Sequence, residues 1–273
     1  MGLKTVKSSS RYSEWDWVEL TEDEIKDALG YRRMLKGRDM KEEEKRENAR
    51  MKIVNAQAAW TYDELKAEII LRAKQEPFDF VIDEHNERVI HLLCLYFTND
   101  ERFNDEEVTY PNGEKRKLSL KKGIGLISAK KGTGKTILMK LFQQNKRIPY
   151  LQIETKDVAS MYKKDGERAI EIHSDLLHVP PTPTFFYHSR IGICFGDLGN
   201  EIPKGNWGDK SDVMADVLYK IYNKGQQTGD FSCFHFTSNL SGGDFEQRYG
   251  DRIKDRLREI FNVIILGGES RRK

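Results

Sequence analysis

Residues 123 to 142 read Gly123-Ile124-Gly125-Leu126-Ile127-Ser128-Ala129-Lys130-Lys131-Gly132-Thr133-Gly134-Lys135-Thr136-Ile137-Leu138-Met139-Lys140-Leu141-Phe142. An apolar run ending at Ser128 leads into a Gly-rich stretch, and a helical apolar pattern continues from Ile137. Strand, Gly-rich turn and helix, in that order, are the context of a phosphate-binding loop. Gly132 and Gly134 let successive N–H groups point into one concavity that takes phosphate oxygens. The new helix adds the positive end of its dipole. Lys135 is placed to meet the β- and γ-phosphates, and the Thr136 hydroxyl to ligate Mg²⁺. Lys131, Thr133 and Ile137 complete the expected nucleotide contacts, and ATP with Mg²⁺ is the expected ligand. The usual first glycine of the loop is Ala129, which fits there if its φ is negative.

From about residue 118 onward, strands and helices alternate, which argues for a parallel α/β sheet. The expected strands are Gly123–Ser128, Tyr150–Glu154, Ile191–Phe195, Phe231–Thr237 and Val263–Leu266. Helices are expected to start near Thr133, Lys156, Ser211 and Asp244. In the third of these, Val213, Val217 and Ile221 share a face with Met214, Leu218 and Tyr222, as in a helix that covers a sheet. Pro180-Pro181-Thr182-Pro183 reads as a loop. The expected fold class is therefore α/β: a P-loop NTPase core with a parallel five-stranded sheet flanked by helices.

Hydrolysis needs an acid near the metal and a group that organises water. The strand Ile191–Phe195 runs into Gly196-Asp197-Leu198-Gly199-Asn200-Glu201. An acid after a buried strand lies at the carboxyl edge of the sheet, where phosphates sit. Asp197 is thus a candidate metal ligand or water-activating base. Asn239 lies just past the strand ending at Thr237 and can reach the γ-phosphate or the water from the same edge. Arg252 and Arg256, taken alone, are i, i+4 charges on an exposed helix face.

The first 115 residues read as mostly helical. Thr21 with Glu24 makes a capping-box pattern before Ile25 and Leu29, and Thr61 with Glu64 repeats it before Leu65, Ile69 and Ile70. Lys41 to Arg50 is dense in both signs of charge and reads as a solvated helix. Val89, Ile90, Leu92, Leu93, Tyr96 and Phe97 give an apolar helix that packs on the α/β segment C-terminal to it. Lys115, Arg116, Lys117, Lys121 and Lys122 read as a solvated basic link. The expected division is 1–115, a helical partner-binding region, and 116–273, the ATPase domain.

Composition narrows the classes. A chain of 273 residues suits one or two domains. Charged residues make up 33% while the net charge is only +2, so nucleic-acid binding needs local basic patches. No apolar run approaches the ~20 residues of a membrane span. Met1-Gly2-Leu3-Lys4 carries no apolar signal core, and Val6 stands where a myristoylation start wants Ser or Thr. Cys94, Cys194 and Cys233 lie far apart in apolar runs and read as buried thiols in a reducing, cytoplasmic setting.

Gly132–Thr136, Gly196–Gly199, Thr237-Ser238-Asn239-Leu240-Ser241 and Tyr249-Gly250-Asp251-Arg252-Ile253-Lys254-Asp255-Arg256-Leu257 occur in this order, and the chain ends Gly268-Glu269-Ser270-Arg271-Arg272-Lys273. The series resembles the DnaC/IstB branch of AAA+ ATPases, helicase loaders and transposition helpers, over about residues 118 to 273. The resemblance implies an AAA+ core without a C-terminal lid domain. It implies Walker A at Lys135 and Thr136, a metal site shared by Thr136 and Asp197, sensor 1 at Asn239, an arginine finger at Arg256 and a supporting arginine at Arg252. The branch usually ends Walker B in two adjacent acids. Gly196 takes the place of the first, so ATP hydrolysis is expected to be slow, and an acid restored at 196 is expected to strengthen Mg²⁺ capture. Lys224 stands where the branch often has Arg. The implied function is a replicative helicase loader of phage or mobile-element origin. It would grip helicase through its N-terminal region, bind single-stranded DNA through its ATPase domain and form a homo-oligomer with ATP. The alternatives are a transposition regulator that assembles on duplex DNA and recruits a transposase, and a non-hydrolysing nucleotide-binding adaptor.

Overall fold

The computed structural model describes residues 18–76, 80–178, 190–201, 204–206 and 209–271. The chain opens with helices α1 (Glu22–Gln57), α2 (Tyr62–Gln75) and α3 (Glu87–Phe97), then a hairpin of β1 (Glu107–Thr109) and β2 (Lys115–Lys117). Next come β3 (Gly123–Ile127), α4 (Lys135–Phe142), β4 (Tyr150–Glu154), α5 (Thr155–Asp165), α6 (Glu167–His173), β5 (Leu177–His178) and β6 (Arg190–Gly196). A second hairpin of β7 (Lys204–Asn206) and β8 (Asp209–Ser211) precedes α7 (Val213–Thr228), β9 (Phe234–Ser238), α8 (Gly242–Tyr249), α9 (Asp251–Ile260) and β10 (Phe261–Ile265). The expected proline loop and the N-terminal Met1-Gly2-Leu3-Lys4 lie outside the described residues. No helix among the described residues is long and apolar enough to cross a membrane.

Five strands pair in parallel in the order β10-β3-β9-β6-β4, and β5 adds to β6 antiparallel. Side chains alternate across a strand, and here the alternation separates two cores. Ile124, Leu126, Tyr150, Cys194 and Ile264 pack with α2, α3 and α4. Ile193, Phe195, Phe236 and Phe261 pack with α5, α6, α7 and α9. A close approach sits between β3 and β9: a Cβ on Gly125 would come 2.4 Å from the Phe236 ring, so only glycine leaves room for it. In α7, Val213, Met214, Val217, Leu218 and Ile221 are buried as expected, and the helix ends at left-handed Gly229.

The contacts divide the chain elsewhere than expected. One compact unit covers Met1–Val54 and the other Asn55–Lys273. Residues 55–115, expected to stand with the N-terminal region, therefore belong to the same unit as the phosphate loop. The reason is apolar: Leu65, Ile69, Val89, Leu92, Leu93 and Phe97 share one core with Leu138, Met139 and Phe142 of α4. The expected basic link is also a folded part. Lys115–Lys117 pairs with Glu107–Thr109, Arg116 bonds Glu114 with its Nε at 2.7 Å, and Lys122 donates to the Arg258 carbonyl at 3.3 Å. Strand ends shift as well. Phe231 donates its N–H to the Lys121 carbonyl and begins a turn, so β9 starts at Phe234, and β10 starts directly at the end of α9. Cys94 and Cys194 are buried, Cys233 is half-buried, and none of the three forms a disulfide.

Candidate nucleotide-binding site

The loop after β3 is shaped by two left-handed glycines, Gly132 (φ +81) and Gly134 (φ +98). A side chain is strained at such φ values, which is why glycine stands there. Ala129 is not among the positive-φ residues, so its Cβ is accommodated. Gly134 is the N-cap of α4 and supplies no side-chain cap, so no side chain of the cap residue competes for the N–H groups of the first turn. Thr133 is buried, and its hydroxyl has no hydrogen-bond partner among the described residues. A buried, unsatisfied hydroxyl between two left-handed glycines suits a loop built to surround an anion.

Lys135, Asn239 and Asp197 come together from three elements. The Lys135 ammonium donates to Asn239 Oδ1 at 2.8 Å, and Asn239 Nδ2 donates to Asp197 Oδ1 at 3.2 Å. Strand order produces this meeting: β9 lies between β3 and β6, so its carboxyl end carries Asn239 between the other two. Asp197 is itself left-handed (φ +53), a conformation that Asp tolerates better than most residues. Its N–H donates to Thr237 Oγ1 at 3.1 Å, its carbonyl accepts from the Thr155 hydroxyl at 3.2 Å, and Asn200 Nδ2 donates to its Oδ2 at 3.3 Å. The turn beyond it is fixed by buried Glu201, which accepts from the Gly199 N–H at 2.9 Å and from Arg248 at 2.9 Å.

The strand order and the loop together decide the fold. This is a P-loop NTPase fold. The arrangement is the five-stranded parallel core expected from the sequence. No family model and no curated protein matches the chain. Among solved structures it is similar to the DnaC helicase loader in a crystal structure, with a TM-score of 0.44 and 14% identity, over 69% of this chain and 93% of that one. It is also similar to AMPPCP-bound DnaA from Aquifex aeolicus, with a TM-score of 0.43 and 11% identity, over 71% of this chain and 50% of that one.

The other expected residues lie on several elements. Thr136 is exposed at the start of α4, and its carbonyl accepts from Gln152 Nε2 of β4 at 3.0 Å. Lys131 is exposed and Ile137 half-buried. Arg252 and Arg256 lie on α9, outside the Lys135–Asn239–Asp197 chain. The sequence identifies no partner for Arg256 within the chain, but the fold supplies two: its guanidinium stacks over the rings of Tyr219 at 4.3 Å and Tyr222 at 4.7 Å. Lys224 reaches Asp175 at 3.3 Å.

Sequence reasoning missed three contributors. Arg271 holds the loop from outside: its N–H donates to the Gly132 carbonyl at 2.9 Å while its guanidinium bonds Asp83 at 2.6 Å and the Val81 carbonyl at 3.1 Å. Burial raises the Asp83 carboxyl, but the Arg271 guanidinium and the backbone N–H groups of His85 and Asn86 together hold it below its ordinary range. Thr237 positions Asp197. Glu154, at the end of β4, is paired with Gly196 in the sheet register. No short-range pattern marks any of the three, because each acts on a residue distant in sequence. Hints existed only in their placement at the ends of expected strands or, for Arg271, within the C-terminal run from Gly268 to Lys273.

Proposed function

We propose that the chain is an AAA+ ATPase of the helicase-loader type that uses ATP as a conformational switch. The observation that carries this reading is the Lys135–Asn239–Asp197 chain, which joins the phosphate loop to the ends of β9 and β6. A phosphate entering the loop would compete with Asn239 for the Lys135 ammonium, so the ends of both strands respond to its arrival. The N–H groups of Gly132, Thr133 and Gly134 and the Lys135 side chain would hold the phosphates. Thr136 and Asp197 would hold Mg²⁺, which neutralises phosphate charge when bound. Asn239 keeps the lysine and the acid in register. Slow turnover would suit such a switch more than a flux enzyme. On this reading Arg256, with Arg252 beside it, serves the nucleotide of a neighbouring copy in an ATP-dependent homo-oligomer. The tyrosine stack would hold its guanidinium in place until then. Residues 1–54 would grip the helicase, and exposed lysines such as Lys115, Lys117 and Lys121 would meet single-stranded DNA in the cytoplasm.

The test mixes tagged wild-type and Lys135→Ala protein with a hexameric replicative helicase, with and without a labelled ATP analogue. Wild type is expected to bind the analogue and retain helicase in a nucleotide-dependent way. Lys135→Ala is expected to lose analogue binding and that dependence. Equal analogue binding by the variant would sink the P-loop reading. Retention of a transposase in place of a helicase would favour the transposition regulator.

A further inference from the structure

Gly196 leaves the site one acid short along its own strand, but the adjacent strand fills the gap. Glu154 of β4 is the parallel-sheet partner of Gly196. A Cβ built on Gly196 would lie 2.7 Å from Glu154 Oε1, 3.0 Å from its Cδ and 3.4 Å from Oε2. The carboxyl group of Glu154 therefore occupies the space in which a side chain at 196 would begin.

The same face of β4 looks onto the phosphate loop. Gln152 and Glu154, two residues apart, share that face, and Gln152 Nε2 bonds the carbonyl of Thr136, the expected metal-ligating residue. Thr155, the next residue, ties the end of β4 to the Asp197 carbonyl. Glu154 is the N-cap residue of α5, yet its side chain does not bond the first turn of that helix. Among the described residues no hydrogen bond or ion pair engages its carboxylate. Neighbouring carboxylates repel each other, and a divalent ion relieves that repulsion.

We propose that Glu154 supplies, from the neighbouring strand, the metal-holding carboxylate that Gly196 lacks. Mg²⁺ is commonly held by one or two carboxylates together with substrate phosphates. No group of three or more His, Cys, Asp and Glu side chains suited to a metal occurs among the described residues. An ion held by Glu154 and Asp197 would be one shared with a nucleotide, and the inference rests on the nucleotide-binding reading above. Glycine at 196 is then a fitted residue and not a defect. On this proposal Gly196→Asp alone brings a second carboxylate into space that Glu154 already fills, so no gain in Mg²⁺ capture is expected from it.

The experiment measures Mn²⁺ affinity by electron paramagnetic resonance in the presence of a non-hydrolysable ATP analogue. Analogue binding in EDTA is measured alongside it. Glu154→Gln, nearly the same shape, is expected to weaken Mn²⁺ binding by on the order of 10-fold or more while leaving metal-free analogue binding intact. Gly196→Asp alone is expected to give no gain. Glu154→Ala combined with Gly196→Asp is expected to restore Mn²⁺ affinity, which a merely structural role for Glu154 does not predict. Unchanged Mn²⁺ affinity in Glu154→Gln, or tighter binding in Gly196→Asp alone, overturns the proposal. If wild type fails to bind the analogue even in EDTA, the nucleotide reading falls and this proposal with it. Analogue binding with no effect of Glu154→Gln removes only the role of Glu154.

Discussion

Thr21 and Thr61 open two helices in the same way, and the helices end in different surroundings. In each, the threonine N–H donates to a glutamate three residues on, at 2.8 Å, and the glutamate N–H donates back to the threonine hydroxyl. Each cap is succeeded four residues later by an apolar residue, and four later by another. In α2 the stripe continues, and Leu65, Ile69 and Ala73 are buried. In α1 the equivalent positions are Ile25, Leu29 and Arg33, and Ile25 and Leu29 stay 45% and 54% exposed against 0% for Leu65 and Ile69. A cap fixes where a helix begins. Whether the helix is buried depends on an unbroken apolar stripe, and one arginine at the third position ends it.

The largest expected difference between the two is in core energy. Ile69→Ala should destabilise the 55–273 unit by ~2–5 kcal/mol, while Leu29→Ala should stay within ~0.5 kcal/mol, both read from denaturant midpoints. Comparable losses would remove the distinction.

The second expected difference is in acid response. His235 lies in the core beside α3, its ring against Tyr96, Phe97 and Tyr150, and its Nδ1 accepts from the Ile124 N–H at 3.1 Å. Burial first, then the nearby Arg147 charge, lower its pKa from 6.5 to about 3. Since the folded pKa is depressed, the unfolded chain binds the proton first on acidification. The contribution of neutral His235 is complete above pH 6.5 and is lost as pH falls toward 3, at up to ~1.4 kcal/mol per pH unit. Denaturant midpoints at about pH 7.5 and about pH 4.5, either side of the ordinary histidine range, should therefore diverge, and His235→Gln should narrow the gap. An equal gap in that variant would assign the slope to other groups.

The smallest expected difference concerns the caps themselves. Thr61→Ala should cost ~1 kcal/mol of cooperative stability, because α2 is packed into the unit that melts. Thr21→Ala should lower helical signal in far-ultraviolet circular dichroism and leave the midpoint in place. A midpoint shift of equal size in both variants would mean that α1 shares the cooperative unit.

Much of the site was legible because its chemistry is local. Gly132, Gly134, Lys135 and Thr136 lie within one turn of chain, and their order between an apolar run and a helix names the loop without a fold. Asp197 and Asn239 were legible as polar residues just past buried strands. Arg256 was legible as a charge but not as a stack on Tyr219 and Tyr222, since α7 and α9 meet only in the folded chain. The expected boundary after residue 115 tracked a change of periodicity. The core ignores that change, because α3 buries Leu92, Leu93 and Phe97 against α4 whatever pattern surrounds them.

The sequence by itself determined the phosphate loop, the five strands and the two capped helices, all set by residues close along the chain. Folding alone brings Lys135 to Asn239 across 104 residues, Asn239 to Asp197 across 42, and Arg271 to Asp83 across 188. It also decided that Glu154 stands in the space Gly196 leaves. Local periodicity sets which face of a strand is apolar. Which strand lies beside which is set by the packing of the whole sheet, and the acids of this site are sorted by that neighbourhood.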